Sequence, residues 1–211
     1  MMHAAGFDLP TRPLTSEHVE LQLFADEHRE PLHAASLPGD TFRFMPMAAE
    51  RPDDWARGFE RMRDMPANAA GGIWAVRHRA CGEWIGASGF LVPSVEHRRV
   101  EIGFSWVAAS HRGQGVNPAV KRLLLALAFD TLGCERVEFK TDARNAHSRA
   151  ALARLGAHEE GTFRHHLLMP DGAWRDSVYY SILRDEWPAV RDTLDARLAK
   201  RDPSHCGALR T

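Results

Sequence analysis

Several absences limit the class of protein. The 211-residue chain has only three cysteines, Cys81, Cys134 and Cys206, whose wide spacing argues against a disulfide framework or a zinc knuckle. No apolar run is long enough to cross a bilayer, and the N-terminal residues lack the pattern of a secretory signal. A formal net charge of −1 provides no field that attracts nucleic acid or membranes. We therefore expect a cytoplasmic protein that binds no metal, no nucleic acid and no membrane.

Two common nucleotide-binding motifs are also absent. The chain has no GxGxxG and no acidic residue after a first strand, which a dinucleotide fold requires, and no Gly-Lys-Ser/Thr of a P-loop. Repeats, low-complexity segments and linkers are absent too. We expect one domain over residues 1–211, with its core at about 14–187, a C-terminal helix at 185–200 and a loose tail at 202–211.

Hydrophobic periodicity predicts an α+β domain. The predicted strands are 19–23, 73–79, 83–92, 99–108, 135–141, 158–168 and 173–183. Helical spacing covers 25–37, a segment from 52 that fades by 68, 118–132, a short helix after 145, and 185–200. Short connections make the strands at 73–79, 83–92 and 99–108 antiparallel, and a strand–helix–strand order implies one parallel pair. In the strand 99–108, the alternation places Val100, Ile102, Phe104 and Trp106 on one face, and Glu101, Gly103, Ser105 and Val107 on the other.

A polar loop with two glycines precedes an apolar helix in the stretch Ser110–Leu132, SHRGQGVNPAVKRLLLALAFDTL. We predict Asn117 as the N-cap and Pro118 as the first helical residue. Free N–H groups and the helix dipole form an anion site at such a helix start, so our hypothesis is a site for a coenzyme pyrophosphate. A turn that needs glycine only for its backbone angles explains the stretch alone equally well.

Three segments resemble the GCN5-related N-acetyltransferase (GNAT) superfamily, and within it the RimJ/RimL-like group of ribosomal-protein alanine acetyltransferases. They are Arg112–Asn117, Thr141–Gly161 and Asp171–Val190, within a match from about Leu14 to Trp187. The chain departs from the usual loop pattern at Ser110, where the superfamily has Gln or Arg. The resemblance implies a mixed, mostly antiparallel sheet that is splayed between two parallel strands and flanked by helices.

The resemblance also implies a reaction. An acetyl group would move from acetyl-CoA to a primary amine by direct attack in a ternary complex, without a metal. The acceptor would be a protein N-terminus or a small amine, and a homodimer is left open. The alternative is an acyl-CoA-binding regulatory module without turnover.

The resemblance identifies residues for the coenzyme. Loop N–H groups would hold the pyrophosphate, and the strand before the loop would contact the pantetheine through its backbone, with Glu138–Asp142 on the neighbouring strand. Asn145 would contact the coenzyme and Ser148 would protonate the leaving thiolate, although helix capping also explains this pair. The coenzyme residues are Phe104, Ser105, Trp106, Val107, Arg112, Gly113, Gln114, Gly115, Val116, Asn117, Asn145 and Ser148.

The general base and the acceptor pocket are less defined. Glu101 is our first choice of base; a salt bridge to Arg98 or Arg99 is the alternative explanation of this carboxylate. RimL-like relatives can use a later glutamate, but Leu167 holds that position. His165 and His166 lie near it, as strand residues or as bases. Candidate acceptor contacts are Arg43, Phe44, Trp74, Trp84, Arg164 and His166.

Overall fold

A computed structural model describes residues 7–37, 40–49 and 51–206. The strands of this part are β1 (Leu14–Thr15), β2 (Val19–Leu23), β3 (Gly71–His78), β4 (Trp84–Ser94), β5 (Arg99–Val107), β6 (Arg136–Asp142), β7 (His158–Leu168) and β8 (Trp174–Leu183). They form one sheet in the order β1-β2-β3-β4-β5-β6-β8-β7. Every neighbouring pair is antiparallel except β5 and β6, which are parallel. The α+β class and the mixed sheet are therefore confirmed.

Five α-helices in the described residues flank this sheet: α1 (Arg29–Ser36), α2 (Pro52–Arg63), α3 (Val116–Ala126), α4 (Ala146–Leu155) and α5 (Trp187–Leu198). A wider π-helical turn, Leu127–Thr131, continues α3. Local signals explain these boundaries. Pro52 begins α2, with two acidic residues in its first turn, and Asn145 caps α4. None of the helices in the described ranges is long and apolar enough to cross a membrane.

The sheet buries apolar residues on both faces. Helices α3, α4 and α5 cover one face, where Val120, Leu124, Leu152 and Trp187 pack with Val100 and Ile102. Helices α1 and α2 cover the other face with Leu32, Trp55, Phe59 and Met62 against Ile73, Ala75 and Ala87. Adjacent residues of one strand thus enter different layers, as the period of two requires.

A β-bulge in β5 makes the predicted alternation wrong beyond Gly103. Gly89 pairs with Gly103 but Ala87 pairs with Trp106, so β5 contains one extra residue, and Phe104 takes a φ of +48°. Phe104 and Trp106 consequently pack in the α1–α2 layer. Ser105 turns toward α3, where its hydroxyl meets a side chain of that helix.

The start of α3 also differs from the prediction. The helix begins at Val116 and its N-cap is Gly115, with a φ of +91°, so the prediction of Asn117 as the N-cap is wrong. Gly115 turns the chain into the helix two residues early, and its carbonyl oxygen accepts the Ala119 N–H at 3.1 Å. Asn117 is therefore an exposed residue of the first turn.

Candidate functional site

A cleft opens between the two parallel strands. Pairing of β5 with β6 extends only from Arg99–Arg136 to Glu101–Glu138. Beyond it, β5 stays paired with β4 and β6 with β8, so the facing edges of residues 102–107 and 139–142 separate. The splay that the resemblance implies is therefore present. We call this opening the β5–β6 cleft.

The glycine loop, Arg112–Asn117, follows the end of β5 at the open end of this cleft. Gly113 and Gly115 have φ values of +80° and +91°. Within the described ranges, the backbone N–H groups of residues 113–117 meet no protein acceptor. Together with the positive end of the α3 dipole, these N–H groups form an anion-binding cradle.

The Arg112 side chain holds the loop in its conformation and does not occupy the anion-binding cradle. Its Nε donates to the Val107 carbonyl oxygen at 3.0 Å, and its Nη2 donates to Thr41 Oγ1 at 3.2 Å. Gln114 Nε2 likewise donates to the Ser110 carbonyl oxygen at 2.8 Å. The loop backbone is therefore held in place by its own side chains, and its N–H groups stay available.

Asn145 and Ser148 form a helix cap, which the sequence suggests as the alternative to a role in coenzyme chemistry. Asn145 Oδ1 accepts the Ser148 backbone N–H at 3.0 Å, at the carboxyl end of β6. The Ser148 hydroxyl is half-buried, and no described residue shares a hydrogen bond with it. Their contacts with a coenzyme stay predictions.

Glu101 is buried and paired, but not with the arginines considered from sequence. Its Oε2 accepts a hydrogen bond from Lys140 Nζ at 2.8 Å. The arginines next to it pair elsewhere: Arg98 with Glu135 at 2.8 Å and Arg99 with Glu138 at 3.2 Å. The parallel register explains this, because Glu101 lies opposite Glu138 and Lys140 is the next residue on that face of β6. The alternative explanation of Glu101, a salt bridge to Arg98 or Arg99, is therefore wrong.

His166 joins Glu101 and Lys140 in a group of side chains on one face of the sheet. His166 Nδ1 lies 3.0 Å from Ser177 Oγ, and His166 Nε2 lies 3.3 Å from the Tyr179 hydroxyl. Tyr179 pairs with Lys140 across β6 and β8. Burial lowers the pKa of His166, and nearby Lys140 and Arg175 lower it further. We call Glu101, Lys140, His166, Ser177 and Tyr179 the polar cluster.

Arg175 connects this region to the early part of the chain. It is buried, and Arg175 Nη1 donates to the Phe44 carbonyl oxygen at 2.9 Å. Burial lowers the pKa of this guanidinium, while Asp142 and Glu101 oppose that shift. Sequence reasoning missed Arg175 and Tyr179, because their importance comes from strand pairing rather than from a local motif.

A cavity of about 370 Å³ lies between residues 36–37 and 40–49 on one side and the turn Met169–Asp171 on the other. Arg43, a predicted acceptor residue, lines this cavity. Phe44, another predicted acceptor residue, accepts a hydrogen bond from Arg175 at its backbone carbonyl oxygen. His166 lies in the polar cluster. The cavity thus joins the early segment that contains Arg43 to the turn between β7 and β8.

Three predicted acceptor residues lie elsewhere. Trp74 is 0% exposed and packs on Phe90 in the α3 layer, so it reaches no cavity. Trp84 packs edge-on against His28 at 4.4 Å, near the start of β4. Arg164 is exposed on β7, and the neighbouring His165 stacks on Trp174 at 5.7 Å. Trp74 and Trp84 therefore pack away from the cavity, and Arg164 faces solvent.

Lys121 is a further residue that sequence reasoning missed. It lies in the apolar face of α3, where burial lowers its pKa to about 7 against an opposing effect of Glu101. Lys121 Nζ donates to Ser105 Oγ at 2.7 Å and lies 5.5 Å from the centre of the Phe139 ring. A lysine at core spacing beside Val120 and Leu124 was the available signal.

Comparisons with known proteins agree with this geometry. The family described as acetyltransferase (GNAT) domain matches residues 18–158. A solved acetyltransferase candidate from T. thermophilus is 34% identical with a TM-score of 0.82, over 91% of this chain and 99% of that chain. Mycobacterium smegmatis RimJ, solved in complex with CoA-disulfide, is 25% identical with a TM-score of 0.72, over 88% of this chain and 93% of that one.

Among named relatives, a Bacillus subtilis (strain 168) protein, YdaF, is designated a candidate ribosomal N-acetyltransferase. It is 40% identical over 91 residues, which is 43% of this chain and 49% of YdaF. The chain spans about half the length of the named relatives that it matches.

Proposed function

This chain belongs to the GNAT acetyltransferase family, and we propose that it transfers an acetyl group from acetyl-CoA to a primary amine in the cytoplasm. The observation that carries the proposal is the row of unbonded N–H groups at residues 113–117, at the open end of the β5–β6 cleft. Such groups at a helix start bind phosphate oxygens. The cleft itself offers backbone groups of residues 104–107 to an extended chain such as pantetheine.

The reaction makes three demands on the residues around the cleft. An N–H of residues 104–107 would donate to the thioester carbonyl oxygen as negative charge develops there. The attacking amine forms the new C–N bond and loses a proton, which Glu101 accepts. The C–S bond breaks, and Ser148 supplies a proton to the thiolate. Lys140 would hold the Glu101 carboxylate in position through its 2.8 Å hydrogen bond.

The acceptor that we propose is a protein N-terminal amine. The cavity of about 370 Å³ is lined by Asp40, Arg43 and Asp171, which suits a polar peptide end. The designation of YdaF as a candidate ribosomal N-acetyltransferase supports the same class. The experiment below also includes small amines as acceptors, since one fold can serve many acceptor types.

The first test is Gly115→Glu. A glutamate there would strain a backbone with a φ of +91° and bring negative charge to the phosphate site, so we expect coenzyme A affinity to fall by about 100-fold. Gly133→Glu is the matched control, because Gly133 also has a positive φ, of +69°, but lies at the other end of α3. Calorimetric titration with coenzyme A measures both variants.

Thiol release from acetyl-CoA is then followed with peptides that carry free N-termini and with small amines. Release that depends on a peptide N-terminus supports the proposal in full. Equal affinity of the Gly115→Glu and wild-type proteins would remove the loop from the coenzyme site. Coenzyme binding without thiol release for any amine would instead support a regulatory acyl-CoA-binding module.

Glu101→Gln tests the proposed base. The amide cannot accept the amine proton, so we expect kcat to fall by about 100-fold and the acidic limb of the pH–rate profile to disappear. Glu160→Gln is the control, since Glu160 pairs with Arg136 at the start of β6 and with Ser181 of β8. A Glu101→Gln profile that keeps the wild-type limb would assign the proton to another group.

A further inference from the structure

Three distant segments meet beside the glycine loop and bring four metal-ligand side chains together. His78 ends β3, Cys81 lies in the turn that follows, and His111 ends the short 3₁₀ turn before the loop. Cys206 comes from residues 199–206, which we call the C-terminal segment. One ligand atom of each of the four residues lies within 4.8 Å of all the others.

The distances suit a tetrahedral ion. Cys81 Sγ lies 3.4 Å from His78 Nδ1 and 3.8 Å from His111 Nε2. Zinc with Zn–S bonds of about 2.3 Å and Zn–N bonds of about 2.0–2.1 Å separates its ligand atoms by roughly 3.3–3.8 Å. These two distances match the separations that a bound ion would impose, and the other pairs of ligand atoms lie within 4.8 Å.

Neighbouring groups hold these ligands in the orientation that a metal needs. Ser110 Oγ lies 2.9 Å from His111 Nδ1, which leaves Nε2 of that ring directed at Cys81. The turn that carries Cys81 is closed by a hydrogen bond from the Gly82 N–H to the His78 carbonyl oxygen at 2.8 Å. Both histidines are buried, whereas both cysteines are half-buried.

The donor set favours zinc over the simpler explanation of a disulfide. A Cys81–Cys206 bond would use the two sulfurs but leave two buried imidazole rings directed at the same point. Two thiolates and two neutral imidazoles instead neutralise Zn²⁺ in a closed Cys₂His₂ site. The expectation that the protein binds no metal rested on cysteine spacing, and that spacing gives no signal here because Cys206 lies far from Cys81 in sequence.

We propose that His78, Cys81, His111 and Cys206 bind a Zn²⁺ ion, which ties the C-terminal segment to the turn before the glycine loop. The ligand set is complete without substrate, so its role is structural. No activity measurement is needed to test it, and the result is independent of the acetyl-transfer proposal.

The test uses the full chain, purified with a reductant and freed of metal by a chelator. We expect about one equivalent of Zn²⁺ to bind with submicromolar affinity. Co²⁺ in the same protein should show the visible absorption of a tetrahedral site and thiolate-to-cobalt charge transfer. Cys81→Ser, His111→Asn and Cys206→Ser should each lose the charge-transfer intensity or the stoichiometric binding.

Two controls match these variants. Cys134→Ala removes the remaining cysteine, which is buried in the core, and His97→Asn removes an exposed histidine. Both should bind one equivalent. Cys206 lies beyond α5, so Cys206→Ser tests the site even where the other substitutions impair folding. Zinc should raise the unfolding temperature of the wild-type protein and leave that of Cys206→Ser unchanged.

Two results would overturn the proposal. One is a reduced wild-type protein that binds no stoichiometric Zn²⁺ and gives no tetrahedral Co²⁺ spectrum. The other is a metal-free protein, purified without reductant, in which only one of three thiols reacts and peptide mapping finds a Cys81–Cys206 disulfide.

Discussion

The amino group of Lys121 lies in the apolar layer between α3 and the sheet, where a charge is costly. Burial lowers its pKa from 10.5 to about 7, and the nearby Glu101 only partly opposes that shift. Its Nζ donates to Ser105 Oγ at 2.7 Å and to Ser88 Oγ at 3.5 Å, and these two hydroxyl oxygens lie 2.8 Å apart. The two serines would therefore keep a hydrogen bond if the lysine were removed.

Lys121 should make stability depend on pH. Between about pH 7 and 10.5 the unfolded chain binds a proton that the folded chain does not, so stability rises with pH in that window. Lys121→Met should abolish this rise, whose limit is about 1.4 kcal/mol per pH unit. Urea unfolding of both proteins at pH 7, 8 and 9 measures the difference, and other titrating groups cancel in the comparison.

Lys200→Met is the matched control for this series. Lys200 is exposed just beyond the end of α5, so its removal should shift stability equally at each pH. If the difference in the free energy of unfolding between the wild-type and Lys121→Met proteins stays constant from pH 7 to 9, the amine is not buried in its neutral form. Such a result would indicate that water reaches the amino group in the folded protein.

The secondary-structure elements were predictable where the signal is local. The predicted bounds of β7, 158–168, match the structure, and β8 begins one residue later than predicted. Asn145 caps the start of α4, and Gly156, with a φ of +92°, ends it. In each case the residues that determine the element lie within it or next to it.

The bulge in β5 could not be predicted, because it is a property of two strands. The alternation in RVEIGFSWVA continues through Phe104, and only the register with β4 reveals the extra residue.

The predicted N-cap of α3 was wrong for a different reason. Asn117 and Pro118 carry a normal start signal, but Gly115 adopts the positive φ that turns the chain into the helix first.

The site shows the same division between local and long-range information. The glycine loop was recognisable because its residues are contiguous and resemble a family motif. The partner of Glu101 was not recognisable from the sequence. Lys140 approaches Glu101 through the parallel pairing of β5 with β6, and these strands precede and follow α3 in the chain. His78, Cys81, His111 and Cys206 meet only after the whole chain has folded, so no spacing rule would have found them.

At the scale of the whole molecule, α5 runs antiparallel along α3 and returns the chain to the glycine loop. Trp187 stacks on Phe129 at 5.7 Å, near the end of α3. Further along α5, Asp195 accepts from Arg122 Nε at 2.7 Å. Arg201 then reaches the start of α3, where its Cγ lies 3.3 Å from the position of a Cβ on Gly115. The C-terminal segment thus packs the aliphatic stem of a cationic side chain against Gly115, next to the anion-binding cradle.

Arg201→Gln tests whether this cation contributes to coenzyme binding. Arg201 is exposed and its stem packs on Gly115, so loss of its charge should weaken coenzyme A binding by roughly three- to tenfold at low salt. The effect should shrink as ionic strength rises, because salt screens an exposed charge. Arg191→Gln is the control, since Arg191 pairs with Asp192 and lies on α5. Calorimetric titration at two salt concentrations, with a Tm for each variant, separates electrostatics from misfolding. Equal affinities for the Arg201→Gln and wild-type proteins at low salt would mean that the loop N–H groups and the α3 dipole hold the phosphates without help from the end of the chain.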